Sequence, residues 1–322
     1  MKLGLVLPQI SGALDGGLPS GAALLAFAQA AEAAGLDSLW LVDHFYWEPF
    51  ADLADHGIAA PEERRGVRFG AWECWTTLAA VAAVTTHVEL GTLVTNTAYR
   101  NPALLAHMAE TVDELSNGRL ILGLGAGDYR SEHAMHGYPW ERRVGRFEEA
   151  LGIIRPLLRG ETVTHDGEFY QLRDATLMPK GPRPVGPPIM IGVVHGGPRM
   201  LRLVTQYADE WNGWLVFGDS HAAAVRAELA AIDAACARHG RGPQTLRRHV
   251  TLGVATPGRD FGWPGATPLS GVPEALAVQL AAVADTGVDH VTLYVRPLTS
   301  DGLDWIGEVV ERLRDKLAPG RG

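Results

Sequence analysis

Residues 88–128, VELGTLVTNTAYRNPALLAHMAETVDELSNGRLILGLGAGD, read as strand, helix, strand. Val88–Thr95 is a continuous, largely β-branched apolar run, the pattern of a strand buried on both faces. Asn101-Pro102 opens a helix with proline near its first position, and the helical periodicity holds to Leu115. Asn117-Gly118 ends that helix in a left-handed turn. Leu120–Gly125 is the second buried strand and runs out into Gly125-Ala126-Gly127-Asp128. Two parallel strands joined by a helix form a βαβ unit, whose ligands sit at the carboxyl ends of the strands.

The alternation extends in both directions. Further strands are expected at Leu3–Pro8, Ser38–Asp43, Pro188–Val194, Glu210–Val216, His249–Ala255 and His290–Val295, each followed by a helical stretch. Eight β-then-α units in 322 residues predict an α/β protein, a single (β/α)8 TIM-barrel domain over 1–322. The competing architecture is a doubly wound open sheet. Pro8-Gln9-Ile10-Ser11 stands where a dinucleotide-binding sheet would carry GxGxxG, which favours the barrel. Ala34-Gly35-Leu36-Asp37, Tyr207-Ala208-Asp209-Glu210 and Thr286-Gly287-Val288-Asp289 recur before strands, as ordinary turns on the stable lower face. Insertions are expected at about 45–71, 128–143, 160–187 and 257–271. The first, second and fourth follow strands and belong at the catalytic end. The third holds a short hairpin around Glu168–Leu172 and belongs at the opposite end unless it folds back.

Lys and Arg number 28 against 37 Asp and Glu, a net charge of −9 that favours neither nucleic acid nor an anionic membrane as partner. The only cysteines, Cys74 and Cys236, lie far apart and read as reduced thiols of a cytoplasmic protein. Met1-Lys2 leads straight into a strand, so neither a signal peptide nor a membrane span is expected.

The strand ends supply the chemistry. Asp43-His44 follows the second strand: histidine titrates near neutrality and moves protons, and a neighbouring carboxylate orients a ring or binds a cofactor. The same pair also fits a turn cap beside a satisfied histidine. Gly125 and Gly127 let backbone approach a flat or anionic ligand. His195-Gly196-Gly197-Pro198-Arg199 offers helix-start amides and a cation, which suits an anion or a plain N-cap equally. Gln9, Phe45, Trp47, Trp72 and Trp214 are candidates for the wall of a small-molecule substrate pocket. His133 and His136 lack a surrounding ligand array, so no metal is expected. None of the lysines, Lys2, Lys180 and Lys316, ends a strand, which argues against Schiff-base chemistry.

AAEAAGLDSLWLVDHF at 30–45, the stretch 90–128, RFEEALGIIRPLL at 146–158, PPIMIGVVHGGPRMLRLVTQYADEWN at 187–212 and LSGVPEALAVQLAAVADTGVDHVTLYV at 269–295 together resemble the luciferase-like monooxygenase superfamily. Within it they resemble the coenzyme F420-dependent oxidoreductases. The resemblance implies hydride transfer between F420 and a small organic substrate, with His44 and Asp128 moving protons. It implies a cofactor-binding set of Asp43, Leu93, Val94, Thr95, Asn96, Gly125, Gly127, Val194, His195, Gly196, Gly197 and Arg199, and a cis peptide at Leu93–Val94. Val193-Val194-His195 stands where some relatives are glycine-rich, a departure in the phosphate-binding region. The superfamily's other branch uses reduced FMN and dioxygen, with a separate flavin reductase as partner. A non-catalytic flavin-binding protein is the alternative from a different class. Homodimers are common among such relatives.

Overall fold

The computed structural model describes residues 1–52, 62, 66–193 and 196–318. Its principal strands are β1 (Lys2–Val6), β2 (Ser38–Leu41), β3 (Glu89–Thr92), β4 (Leu120–Gly125), β5 (Ile189–Val193), β6 (Glu210–Trp214), β7 (Arg247–Ala255) and β8 (His290–Arg296). Each pairs in parallel with the next, and β8 pairs with β1, so the sheet closes on itself. The helices between and after them are α1 (Gly21–Ala33), α2 (Cys74–Val84), α3 (Pro102–Leu115), α4 (Arg143–Leu158), α5 (Pro198–Tyr207), α6 (Ala222–Arg238), α7 (Pro273–Ala284) and α8 (Gly302–Leu317). The fold is a (β/α)8 barrel, as the alternation of periods predicts.

Local chemistry sets the boundaries. Asn101 caps α3 by accepting from the Ala103 and Leu104 amides, and Pro102 occupies the first turn. Asn117 and Gly118, at φ 54° and 80°, then turn the chain toward β4. The recurring aspartates reach further than their own turns. Asp37, Asp209 and Asp289 accept from Leu3, Ile189 and Arg248, the amides that open neighbouring strands. They stitch adjacent strands together at the lower rim.

Two apolar layers hold the barrel. The outer layer packs strand residues such as Leu39, Leu90 and Leu122 against helix residues such as Leu78, Ala106 and Ile154. Each fully buried leucine or isoleucine there contributes about 1.5–3 kcal/mol relative to exposure. The inner layer gathers Val6, Trp40, Val42, Leu93, Ile121 and Met190 inside the barrel. Trp40 fills its width because Gly91 faces it: a Cβ on Gly91 would stand 2.1 Å from the indole.

The barrel floor is polar. Glu210 of β6, His249 of β7 and His290 of β8 meet there, all with side chains at most 4% exposed. His249 Nδ1 lies 2.8 Å from Glu210 Oε1. The two imidazoles stack at 4.2 Å. Their Nε2 atoms meet the Thr292 and Ser38 hydroxyls at 2.7 Å. Burial and the neighbouring His290 hold His249 down at about 4, against the pull of Glu210.

The expected continuous strand over Val88–Thr95 is interrupted. Gly91 pairs with Ile121 and Thr95 with Leu124, so four steps on one strand face three on the other. The extra residue makes a bulge, and the peptide Leu93–Val94 within it is cis. A run of apolar letters carries no mark of such a break.

Of the four insertions, positions 53–61 and 63–65 of the first lie outside the described residues. Its two ends, Tyr46–Trp47 and Phe69–Gly70, pair antiparallel. The third insertion both covers the lower rim and folds back. Lys180 and Arg183 pair with Glu110 and Asp113 near that rim. The hairpin of Val163–Asp166 and Gln171–Ala175 runs up along α4, where Phe169 lies 4.8 Å from the Arg142 guanidinium. Among the described residues, no helix is long and apolar enough to cross a membrane.

Candidate active site

A cavity of about 550 Å³ opens at the carboxyl ends of the strands, within the range of small-molecule sites. Strand ends bring Asp43, His44, Leu93, Val94, Asn96, Gly125, Gly127, Asp128 and Trp214 to its wall.

The β3 bulge shapes its floor. Val94 sits between Gly125 of β4 and Gly192 of β5, and Cβ atoms there would lie 2.6 Å and 2.8 Å from its two methyl carbons. The valine is stiff at χ1 and pinched between the two strands, so it can give way only toward the cavity. Gly127 is held at φ +87°, and a Cβ there would come within 2.6 Å of Asn96 Nδ2 and 2.7 Å of His133 Nε2. We expect Gly192→Ala to push Val94 into the cavity and weaken binding of a flat ligand about tenfold or more, measured by calorimetry with melting temperature as control. Unchanged affinity in a folded variant would show that the bulge does not shape the ligand site.

His44 is held by a residue that sequence reasoning passed over. Its Nδ1 lies 2.8 Å from Glu132 Oε2. Glu132 also accepts from the Tyr99 hydroxyl at 2.7 Å and from the Phe45 amide at 2.5 Å, and its side chain is fully buried. Burial opposes charge on the imidazole, but Glu132, with smaller help from Asp128 and Asp43, outweighs it and holds His44 up at about 9. His44 is thus an imidazolium at neutral pH. A histidine raised above its ordinary value stabilises the fold fully below about pH 6.5, and that contribution is lost as pH rises through about 9. The melting-temperature advantage of the native chain over His44→Gln should therefore shrink between about pH 6 and pH 10. A constant gap would contradict the ion pair.

Glu132 stands directly before His133, and His136 one turn later, in the short helix Arg130–His136. Those histidines serve structure. His133 pairs with Asn96 Nδ2 at 2.8 Å and the Pro139 carbonyl at 3.0 Å, and His136 Nδ1 meets the Glu132 carbonyl at 3.0 Å. Seven helical residues carry too little periodicity to show which side chain turns inward.

Asp43 lines the cavity, yet Arg100 holds both its oxygens at 2.6 Å and 2.9 Å, and the Asn96 amide donates to it at 3.0 Å. It anchors the β3 exit to the β2 exit. Thr95 is buried and absent from the cavity wall. Gln9 is consumed by backbone: its amide donates to the Val42 and Trp72 carbonyls, and its oxygen accepts from the Val42 amide. Trp72 turns its indole N–H to the Pro19 carbonyl, and Phe45 packs on Tyr99 and His136, so neither lines the cavity. The side chain of Trp47, and residues Val194 and His195, lie outside the described set. Gly197 caps α5, while neither it nor Gly196 is on the cavity wall. Arg199 is spent on Glu148 at 2.6 Å. The arginines on the wall are Arg130 and Arg143, with Arg143 stacked 4.1 Å over Trp140 and donating through Nε to the Gly127 carbonyl at 3.1 Å. Among the described residues neither has a carboxylate partner.

The fold and site define a barrel that presents a glycine-flanked bulge, a charged histidine and two arginines without a carboxylate partner among the described residues at one mouth. The model of the luciferase-like monooxygenase family matches residues 1–260, and the chain belongs to that family. It is 35% identical over 243 residues, 72% of this chain and 62% of the relative, to the phthiodiolone/phenolphthiodiolone dimycocerosates ketoreductase of Mycobacterium kansasii. It is 39% identical over 185 residues, 56% of this chain and 48% of the relative, to the F420-dependent glucose-6-phosphate dehydrogenase of Kineococcus radiotolerans. The matches thus span about half to three-fifths of these relatives' length. An F420-dependent secondary alcohol dehydrogenase in complex with an F420-acetone adduct superposes with TM-score 0.75 at 18% identity, covering 98% of this chain and 99% of that one. A long-chain alkane monooxygenase does so with TM-score 0.73 at 13% identity, covering 100% and 93%. Both likenesses concern the fold.

Proposed function

We propose that this protein is an oxidoreductase that uses coenzyme F420 to move hydride to or from a small organic substrate, a carbonyl–alcohol pair. The observation that carries the reading is the His44–Glu132 ion pair beside the glycine-flanked Leu93–Val94 bulge, inside a cavity large enough for a tricyclic ring. Relatives described as F420-dependent support the cofactor. A flat ring fits the cavity beside the bulge, because Gly125 and Gly192 let the Val94 methyls seat between their strands and leave the adjoining space of about 550 Å³ open. Leu93, Val94, Asn96 and Gly125 would hold the ring, and Arg130 and Arg143 would meet an anionic tail at the rim.

When bound, F420 supplies a carbon that gives and takes hydride. The residues of this chain do the rest. Glu132 fixes the His44 ring through Nδ1 and keeps it protonated. His44 then donates through Nε2 to the substrate oxygen during reduction and takes the proton back during oxidation. Asp128, on the same wall, is a second proton carrier. Val42, Tyr129 and Trp214 exclude water from the reacting centre.

Titration with F420 and FMN, followed by absorbance, tests the cofactor. The reading expects F420 to bind and its spectrum to bleach on turnover with an alcohol, without oxygen uptake. Tight FMN binding with oxygen consumption and no F420 binding would overturn it and favour the monooxygenase branch.

A further inference from the structure

A second space of about 40 Å³ lies beside the main cavity, with Val42, His44, Tyr129, Trp214 and Phe217 common to both. Its far wall is Phe69, Trp263, Tyr294 and Arg296. The described residues around it are apolar, aromatic or hydrogen-bond donors, and none of them is a carboxylate. Tyr294 and Arg296 share the face of β8 that carries Thr292, so the period of two turns both inward at the carboxyl end.

Arg296 is the decisive group. It is half-buried, it lies 5.9 Å over Phe69 and 5.7 Å over Trp263, and its one side-chain hydrogen bond is a long one, 3.4 Å to the Tyr294 hydroxyl. Among the described residues it forms no ion pair. The indole nitrogens Nε1 of Trp214 and Trp263, residues of the same walls, are buried and have no acceptor among the described residues. Buried donors without partners cost about 1–3 kcal/mol each, and an arginine without a carboxylate is matched best by a planar oxyanion. Arg296 therefore stands on this wall with no carboxylate among the described residues that line it.

We infer that this annex binds the carboxylate of the substrate, and that the substrate is a small organic acid with a flat apolar body. The space takes a carboxylate head group but not a whole molecule, so the body extends past Trp214 and Phe217 into the main cavity. His44 borders both spaces and so stands between the acid group and the rest of the molecule. The assignment rests on the redox reading of the main cavity, but its binding chemistry can be tested apart from it.

The probes are benzoate, benzyl alcohol and benzylamine, titrated calorimetrically into the full chain with and without F420. Benzoate should bind at least about tenfold more tightly than either other probe. Arg296→Gln should reduce that preference about tenfold, and Arg296→Lys should keep part of it. Both variants should still bind F420. Equal binding of the three probes, no benzoate binding, or an unchanged preference in folded Arg296→Gln would overturn the inference. The comparison of probes on the native chain stands even if a variant misfolds. Selective benzoate binding by a chain that ignores F420 would defeat the redox reading and leave the carboxylate site in place.

Discussion

His44→Ala should lower kcat about 10²–10⁴-fold while F420 binding changes little, because the lost group moves a proton and does not carry the ring. Single-turnover recovery of the oxidised cofactor's absorbance, on mixing reduced F420 with a saturating carbonyl substrate, measures the step. The expected pH profile is specific. In the reducing direction the reaction needs imidazolium, so activity should fall as pH rises through about 9, the value at which Glu132 holds His44. Glu132→Gln removes the charge that outweighs burial. The falling limb should then move to or below the ordinary histidine value of about 6.5. A merely structural Glu132 would lower activity without moving the limb. An alkaline limb that stays near 9 in Glu132→Gln would assign the titration to another group.

His249→Leu should destabilise the fold by about 1–3 kcal/mol, since it removes the neutral imidazole that stands 2.8 Å from the buried Glu210 carboxylate at the barrel floor. The midpoint of urea unfolding measures this, with the slope as a check on two-state behaviour. Pairing His249→Leu with Glu210→Gln removes the stranded charge and should recover part of the loss. The site at the opposite end should keep its cofactor affinity in the double variant. The same cluster predicts acid sensitivity. His249 is held down at about 4, so its contribution to stability is present above the ordinary histidine value and is lost as pH falls through about 4. Losses below about 1 kcal/mol for His249→Leu would mean that solvent or a proton relieves the floor.

The barrel was legible because its signals are local and repeated. Buried strands read as apolar runs, helices as amphipathic stretches, and Asn101-Pro102 and Asn117-Gly118 mark boundaries with residues chosen for backbone reasons. The Asp43-His44 strand end was legible for the same reason, since topology alone brings such residues to the mouth. What stayed hidden depends on partners distant in sequence. Glu132 reaches His44 across 88 positions. Arg100 claims Asp43 across 57. Gln9 and Trp72 look like pocket residues until the carbonyls that occupy them are known. The floor triad has one member on each of three strands, and nothing in any one strand shows that its polar residue faces the other two. Arg199 illustrates the opposite case: a cation at a helix start suggests an anion site, but Arg199 lies off the cavity wall and shares Glu148 of α4 with Arg202.

A crystal of the protein grown with F420 tests the central claim most directly. The account predicts the tricyclic ring lying against the Leu93–Val94 bulge between the Gly125 and Gly192 exits, with His44 Nε2 within hydrogen-bond reach of a substrate oxygen placed over its reactive carbon. A ring bound elsewhere, or one that leaves His44 on the far side of Tyr129 from the reacting carbon, would contradict it.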